Sequence, residues 1–195
     1  ARAYQELGYI YSIKKDEKKA LRAFLRAVRL NDSLHASWLS IIKLADGNEK
    51  LLDMCDENIY YLKNLPPELK TVLSYTNEGK LAKADHICRD YLQRKPHDVE
   101  AMRLLAKIAL ELYIFEDAEF LLESCLVFDP NNIKVKHDYI TTLLRRQKYG
   151  LALKTAKELY ETSPEELVAM KLYATTLFRA DIYDESINLF ETVLE

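Results

Sequence analysis

Histidine and cysteine are the side chains best suited to hold a metal ion or to attack a substrate, and the sequence carries four and three of them. No H-E-x-x-H, no C-x-x-C and no Cys/His pair at zinc spacing occurs. There is no G-x-S-x-G either, and the acidic pairs Glu116-Asp117 and Glu165-Glu166 fit the first turns of helices. The sequence therefore predicts no metal, no cofactor and no catalytic residue, so we expect this chain not to be an enzyme.

The cysteines point to a compartment rather than to a reaction. Cys55, Cys88 and Cys125 are odd in number and lie in apolar helical stretches. We expect buried free thiols in a reducing environment, and hence a cytoplasmic protein. Because the chain begins at Ala1 and stops inside an amphipathic pattern, we also expect it to be a piece of a longer protein.

Composition argues against several further classes of protein. The 195 residues include only 4 Gly, and these form neither nucleotide-binding fingerprint. The net charge of -3 provides no field that would hold nucleic acid. No window has the ~20 apolar residues that a membrane span requires. We expect no nucleic-acid partner and no membrane insertion.

The elements that must position any functional residue follow from an internal period. Pro96, Pro130 and Pro164 recur at one constant interval, and Ala84, Ala118, Ala152 and Ser186 recur at the same interval. Prolines spaced in this way stop helices, and apolar residues three and four apart share one helix face. Each period therefore predicts two antiparallel helices, called A and B below, with small residues such as Gly8 and Ala20 where the pair packs closest.

The residues at these positions resemble the tetratricopeptide repeat (TPR). In the first period they are Tyr4, Leu7, Gly8, Tyr11, Ala20, Phe24 and Ala27. The resemblance implies an all-α, right-handed superhelical α-solenoid in which residues 1–195 form a single array of about six units. The units are approximately 1–34, 35–64, 65–98, 99–132, 133–166 and 167–195; the second and third are irregular and together four residues short, and the last is truncated.

The same resemblance implies a concave groove lined by A helices. Cations outnumber Glu100 and Glu111 at the positions that face such a groove, which favours an acidic peptide or acidic protein surface as the partner. A solvated charged face without a ligand is the alternative interpretation. The residues predicted to line the groove are Arg103, Lys107, Lys134, His137, Arg145, Lys171 and Arg179, with Tyr9 as a further ligand contact.

The stretch from Pro67 onwards also resembles one particular group, bacterial proteins in which a TPR region precedes a protein-tyrosine-sulfotransferase-like domain. The similar segments are PHDVEAMRLLAKIALELYIFEDAEFLLESCLVFDP, KHDYITTLLRRQKYGLAL and KLYATTLFRADIYDESINLFETVL. At the turns between helices that group tends to have Gly-Arg, whereas this sequence has Tyr113-Ile114 and Ala180-Asp181. The resemblance implies that the array recruits a protein substrate for a sulfotransferase domain beyond residue 195.

A structural role is the second hypothesis. The array would then be a spacer or an oligomerisation scaffold that associates through its ends or through the Tyr60-Tyr61 region, with the groove empty. A concentration-dependent dimer without peptide binding would favour this hypothesis over the first.

Overall fold

A computed structural model describes residues 1–194; residue 195, the last of the predicted sixth unit, lies outside them. The described residues form twelve α-helices and no strand. The helices are α1 (Arg2–Ile13), α2 (Glu17–Leu30), α3 (His35–Leu44), α4 (Glu49–Asn64), α5 (Pro67–Asn77), α6 (Leu81–Arg94), α7 (Val99–Glu111), α8 (Phe115–Phe128), α9 (Ile133–Arg145), α10 (Tyr149–Thr162), α11 (Leu167–Arg179) and α12 (Tyr183–Leu194).

The chain divides into two compact units, residues 1–88 and 89–195, and the boundary lies inside α6. In the first unit α1 packs on α2, α2 on α3, and α3 on α4. In the second unit α7 packs on α8, α8 on α9, and the same order continues to α12. Within these series each B helix packs against the A helix that follows it. The single array of residues 1–195 remains a prediction.

The first residues of the B helices show where the irregular second and third units lose their four residues. The B helices begin at residues 17, 49, 81, 115, 149 and 183, and each of the first two intervals is two residues shorter than the three that follow. The first shortening falls in α3, which has 10 residues where α7, α9 and α11 have 13. The second falls in the α4–α5 connection, which is only Leu65-Pro66, because Pro67 already begins α5.

The turn from each A helix to its B helix contains a residue in the left-handed region. Only two of the six turns use glycine for it, Gly47 and Gly79, with φ of 77° and 73°. The remaining turns place ordinary side chains there, at a steric cost that glycine avoids. These residues are Lys15 (φ 59°), Tyr113 (62°), Gln147 (58°) and Asp181 (61°), and Asp46 (44°) precedes Gly47.

In the first helix pair, the two small residues predicted at the closest approach, Gly8 and Ala20, are both buried. Gly8 is buried, but the atoms nearest to a Cβ built on it belong to the ring of Phe24, at 2.6, 2.7 and 2.8 Å. The ring of Phe24, one turn beyond Ala20 on α2, therefore lies directly against the backbone at Gly8. Gly8 is needed because an aromatic ring occupies the space of its missing side chain.

The second unit has a continuous apolar core. Its small residues Ala106 and Ala118 are fully buried, as the repeat predicts, and larger side chains from α7 to α11 surround them. Among these are Met102, Leu122, Val135, Tyr139, Ile140, Leu143 and Leu159.

Candidate functional site

The predicted groove residues of the second unit lie on three A helices, α7, α9 and α11, which are neighbours in space. We call the side of these helices that carries them the A-helix face. It consists of Arg103 and Lys107 on α7, Lys134, His137 and Arg145 on α9, and Lys171 and Arg179 on α11.

Tyr9 belongs to the first unit. Its half-buried ring packs edge-on against Phe24, with the ring centroids 5.2 Å apart. This contact gives Tyr9 a packing role within the α1–α2 pair.

An ion-pair network crosses the A-helix face between α7 and α9. The Arg103 guanidinium donates to Glu100 Oε1 at 2.7 Å and to Asp138 Oδ2 at 2.8 Å, and its side chain is only 13% exposed. On the other side of Asp138, His137 Nδ1 lies 3.2 Å from Oδ1. Two carboxylates therefore already hold Arg103, so its first role is to join two neighbouring A helices.

The pKa of Asp138 reflects this position. Burial acts to raise the pKa of the carboxyl, but the hydrogen bond with His137 and the charge of Arg103 outweigh burial. The pKa of Asp138 lies below its ordinary value as a result. Asp138 is therefore a carboxylate at neutral pH, and it offsets one of the cations on this face.

A small depression lies beside His137, between α9 and α11. It has a volume of about 260 Å³ and is lined by His137, Val168, Lys171, Leu172 and Thr175. Val168 and Leu172 provide apolar surface, while the exposed Lys171 and the partly exposed His137 provide polar groups at its rim. The depression can thus take an apolar side chain that is flanked by an acidic group.

The remaining cations of the face differ in exposure. Lys107 is half-buried, whereas Lys134, Arg145 and Arg179 are exposed. The Arg179 guanidinium lies 5.9 Å from the ring centroid of Phe178, itself 51% exposed, so an aromatic surface accompanies this charge.

The sequence analysis missed Asp138 as a member of this face. Asp138 directly follows the predicted groove residue His137 on α9, but its place in the repeat was not among those expected to face the groove. The sequence does contain a signal for the ion pair between Arg103 and Asp138. Asp138 is an acidic residue that follows Arg103 by 35 positions, one more than the repeat period, so it lies one helix pair further along the array.

The side chains suited to other chemistry form no metal site within the described part of the chain. Among residues 1–194, no group of three His, Cys, Asp or Glu side chains could hold a metal ion. The three cysteines are buried and not disulfide-bonded, and burial raises the pKa of the Cys125 thiol to about 12. None of the helices formed by these residues has the length and apolar character needed to cross a membrane.

Comparisons with known proteins identify the fold. No family model matches the sequence, and no curated protein matches it. Among solved structures, MamA from Desulfovibrio magneticus is 13% identical with a TM-score of 0.58, over 99% of this chain and 92% of that one. A tetratricopeptide repeat protein from Parabacteroides merdae is 17% identical with a TM-score of 0.58, over 100% and 80%. YrrB, described as a TPR protein with an unusual peptide-binding site, is 12% identical with a TM-score of 0.55, over 98% and 83%.

These similarities span nearly the whole chain at identities too low to carry function. They agree with the twelve helices of residues 1–194 and with the regular spacing of the first residues of the B helices. The fold is an all-α solenoid of the tetratricopeptide type.

Proposed function

We propose that this chain is a non-catalytic protein-interaction module whose A-helix face binds an acidic peptide or an acidic surface of a partner protein. The observation that carries the proposal is the depression between α9 and α11. It combines the apolar side chains Val168 and Leu172 with the basic Lys171 at one edge. Such a combination suits a peptide in which an apolar residue stands next to a carboxylate.

Charge complementarity supports an acidic ligand. Arg103 is neutralised by Glu100 and Asp138, and the face also carries Lys107, Lys134, Arg145, Lys171 and Arg179. Cations gathered on one face raise the local concentration of an acidic partner and fix its register. YrrB, which shares the fold, is described as having a peptide-binding site, which makes peptide binding a reasonable use of this fold.

The test is a binding titration with a short fluorescein-labelled peptide in which Glu alternates with Leu. We expect saturable binding that weakens at least tenfold, about 1.4 kcal/mol, in the Lys171→Glu variant. Lys154→Glu is the matched control, because Lys154 is exposed on α10, away from the A-helix face. Equal affinity of the two variants would contradict the proposed site.

Two further ligands separate the partner classes. A Lys-Leu peptide of the same length should not bind, and a single-stranded oligonucleotide of equal charge should bind more weakly than the acidic peptide, since Val168 and Leu172 give the depression an apolar surface that suits an apolar side chain. Preferential binding of the oligonucleotide over the acidic peptide would indicate that the partner is a nucleic acid and not a protein.

A finer form of the proposal concerns a sulfotransferase. If a sulfotransferase-like domain accompanies this module in the full-length protein, the module would bring an acidic protein substrate to it. The resemblance of residues 67–195 to such fusion proteins is the ground for this step. Sulfate transfer by the full-length protein to a Tyr-containing acidic peptide should then fall in the Lys171→Glu variant, while transfer to a small phenol stays unchanged.

The compartment belongs to the same proposal. Three buried thiols without a disulfide fit a reducing compartment such as the cytoplasm. Localisation of a fluorescently tagged full-length protein tests this directly.

A further inference from the structure

A cavity of the first unit lies where the start of α3 and the end of α4 approach the middle of α5. It has a volume of about 410 Å³, which is within the range of small-ligand sites. The residues that line it are Ser33, His35, Leu62, Lys63, Lys70 and Ser74. All but Leu62 have polar side chains, and no acidic residue of the described chain is among them. The cavity therefore concentrates positive charge and hydrogen-bond donors.

Two lysine ammonium groups give the cavity its charge. Lys63 is exposed in the last turn of α4, and Lys70 is half-buried on α5. The ammonium of Lys70 donates to the main-chain oxygen of Lys63, with the nitrogen and oxygen 3.2 Å apart. This bond holds the ammonium of Lys70 at the cavity and uses one of its three donors, so two donors remain for a ligand.

The start of α3 adds positive potential from the backbone. α3 begins at His35, its N-cap residue Leu34 makes no side-chain hydrogen bond, and its first turn contains no acidic residue. No carboxylate of the helix itself offsets the positive end of the helix dipole, and such an end favours an anion. The exposed imidazole of His35 offers a further hydrogen-bond donor at the rim.

Hydrogen bonds fix the wall of the cavity that precedes α3. Oδ1 of the buried Asn31 accepts from the main-chain nitrogen of Ser33 at 3.0 Å and from its hydroxyl at 2.5 Å. At the end of α5, Asn77 Nδ2 donates to Asn31 Oδ1 at 3.1 Å and to Asp32 Oδ1 at 2.7 Å. Trp38 Nε1 donates to the main-chain oxygen of Asp32 at 2.8 Å. The wall is therefore preorganised, and the carboxylate of Asp32, next to Ser33 in sequence, already has a partner.

The lining suits a phosphate group better than a single carboxylate. A phosphate monoester carries about −1.5 to −2 charges at pH 7 and has three strong acceptor oxygens. The two lysines match that charge, and the half-buried hydroxyl of Ser74 adds a neutral donor. Leu62, which is 6% exposed, gives the carbon atoms next to the phosphate an apolar surface.

We propose that this cavity binds a phosphate monoester, with Lys63 and Lys70 as its ionic contacts and Ser74 as a hydroxyl donor. The same group occurs on a phosphorylated side chain of a partner protein and on a small phosphorylated metabolite, and the experiment below separates these two sources. The cavity belongs to the first unit and shares no residue with the A-helix face, so it acts independently of the acidic-peptide site.

Isothermal titration calorimetry tests the site with the neutral peptide acetyl-Gly-Ala-Ser-Ala-Gly-amide, with and without a phosphate on its serine. The phosphopeptide should bind about tenfold more tightly than the unphosphorylated peptide, or than the same peptide with Glu in place of phosphoserine. Tighter binding of the phosphopeptide than of inorganic phosphate identifies a phosphorylated protein as the source. Inorganic phosphate that binds at least as tightly identifies a small metabolite.

Two results of these titrations would overturn the proposal. The first is that neither the phosphopeptide nor inorganic phosphate binds at concentrations up to about 1 mM. The second is that the unphosphorylated peptide binds as tightly as the phosphopeptide.

Single variants locate the site. Lys70→Gln removes the ammonium but keeps an amide that can donate to the oxygen of Lys63, and it should weaken phosphate binding about tenfold. Lys63→Gln should weaken binding as well, and Lys50→Gln is its matched control. Lys50 and Lys63 are both exposed on α4, separated by about 20 Å of helix, so the control should bind as the unmodified chain does.

The same variants keep this proposal distinct from the acidic-peptide site. Lys171→Glu on the A-helix face should leave phosphate binding unchanged, and Lys70→Gln should leave binding of the Glu-Leu peptide unchanged. Far-ultraviolet circular dichroism should show that all variants stay folded, and the exposed Lys63 provides a test that does not depend on a half-buried position. Equal phosphate affinity of Lys63→Gln and Lys50→Gln would overturn the assigned contacts.

Discussion

At the scale of single residues, the two glycines inside helices have opposite surroundings. A Cβ on Gly8 would meet the Phe24 ring at 2.6 Å, whereas a Cβ on Gly150 would meet nothing within 4 Å. Alanine in a helix is favoured over glycine by about 1 kcal/mol, but overpacking a core costs about 1–3 kcal/mol.

We therefore expect Gly8→Ala to lower the free energy of unfolding by about 1 kcal/mol. Gly150→Ala should raise it by up to about 1 kcal/mol, because only helix propensity changes there. Urea titrations followed by circular dichroism measure both. Stabilisation by both substitutions would show that the Phe24 ring yields to a methyl group without cost.

The left-handed turn residues give a second pair of expectations. A non-glycine residue in the left-handed region destabilises the folded state by roughly 1–2 kcal/mol. Replacing it by glycine removes this strain, but the greater freedom of glycine in the unfolded chain offsets roughly 0.5–1 kcal/mol of the gain. Gln147→Gly, at φ 58°, should raise the free energy of unfolding by about 0.5 kcal/mol. Gly79→Ala, at φ 73°, should lower it by a similar amount, and changes of the same sign in both variants would contradict the strain argument.

These residues also show where the sequence stops being informative. The repeat period and the helix-stopping prolines follow from spacing alone, and the helices do end at residues 94, 128 and 162, before Pro96, Pro130 and Pro164. The contact between Gly8 and Phe24 does not follow, because spacing defines a face but not which ring fills the gap. Nor does composition show which cation is neutralised by a nearby carboxylate. Only the structure shows that Arg103 and Asp138 form an ion pair.

At the scale of elements, the ion pair between Arg103 on α7 and Asp138 on α9 couples neighbouring A helices. The folded-state pKa of Asp138 is lowered, so the pair stabilises the fold above the ordinary value of 3.8 and loses this contribution as the pH falls through the folded-state pKa. Stability should therefore decline on acidification partly through this one carboxyl.

Asp138→Asn removes the charge while keeping the shape. At neutral pH it should lower the free energy of unfolding by about 1–2 kcal/mol. The difference from the unmodified chain should shrink between about pH 5 and about pH 2, because protonation removes the same charge from Asp138. Asp53→Asn, an exposed position on α4, is the control and should leave the pH profile unchanged. A difference that is constant with pH would mean that the amide, and not the lost charge, causes the effect.

At the scale of the whole molecule, contacts within the second unit run from each helix pair to the next, so its stability should be a sum of local and nearest-neighbour contributions. This unit contains its own core, from Met102 to Leu172, and its own ion-pair contact between α8 and the turn after α9. In that contact the buried Glu119 accepts from both Arg146 and Lys148 at 2.5 Å. Nothing in either feature requires residues of the first unit.

A fragment of residues 80–195, which keeps α6 whole, should therefore unfold cooperatively on its own. Glu119→Gln removes the buried carboxylate that Arg146 and Lys148 share, leaving Arg146 only its exposed partner Glu116, and should cost about 2 kcal/mol. Because the ion pairs of Glu119 reach only the neighbouring helix pair, this loss should agree within about 0.5 kcal/mol between the fragment and the whole chain. Urea unfolding of the four proteins decides the matter. A fragment without a cooperative transition, or a loss that differs by more than that margin, would mean that residues 1–79 contribute to the stability of the second unit.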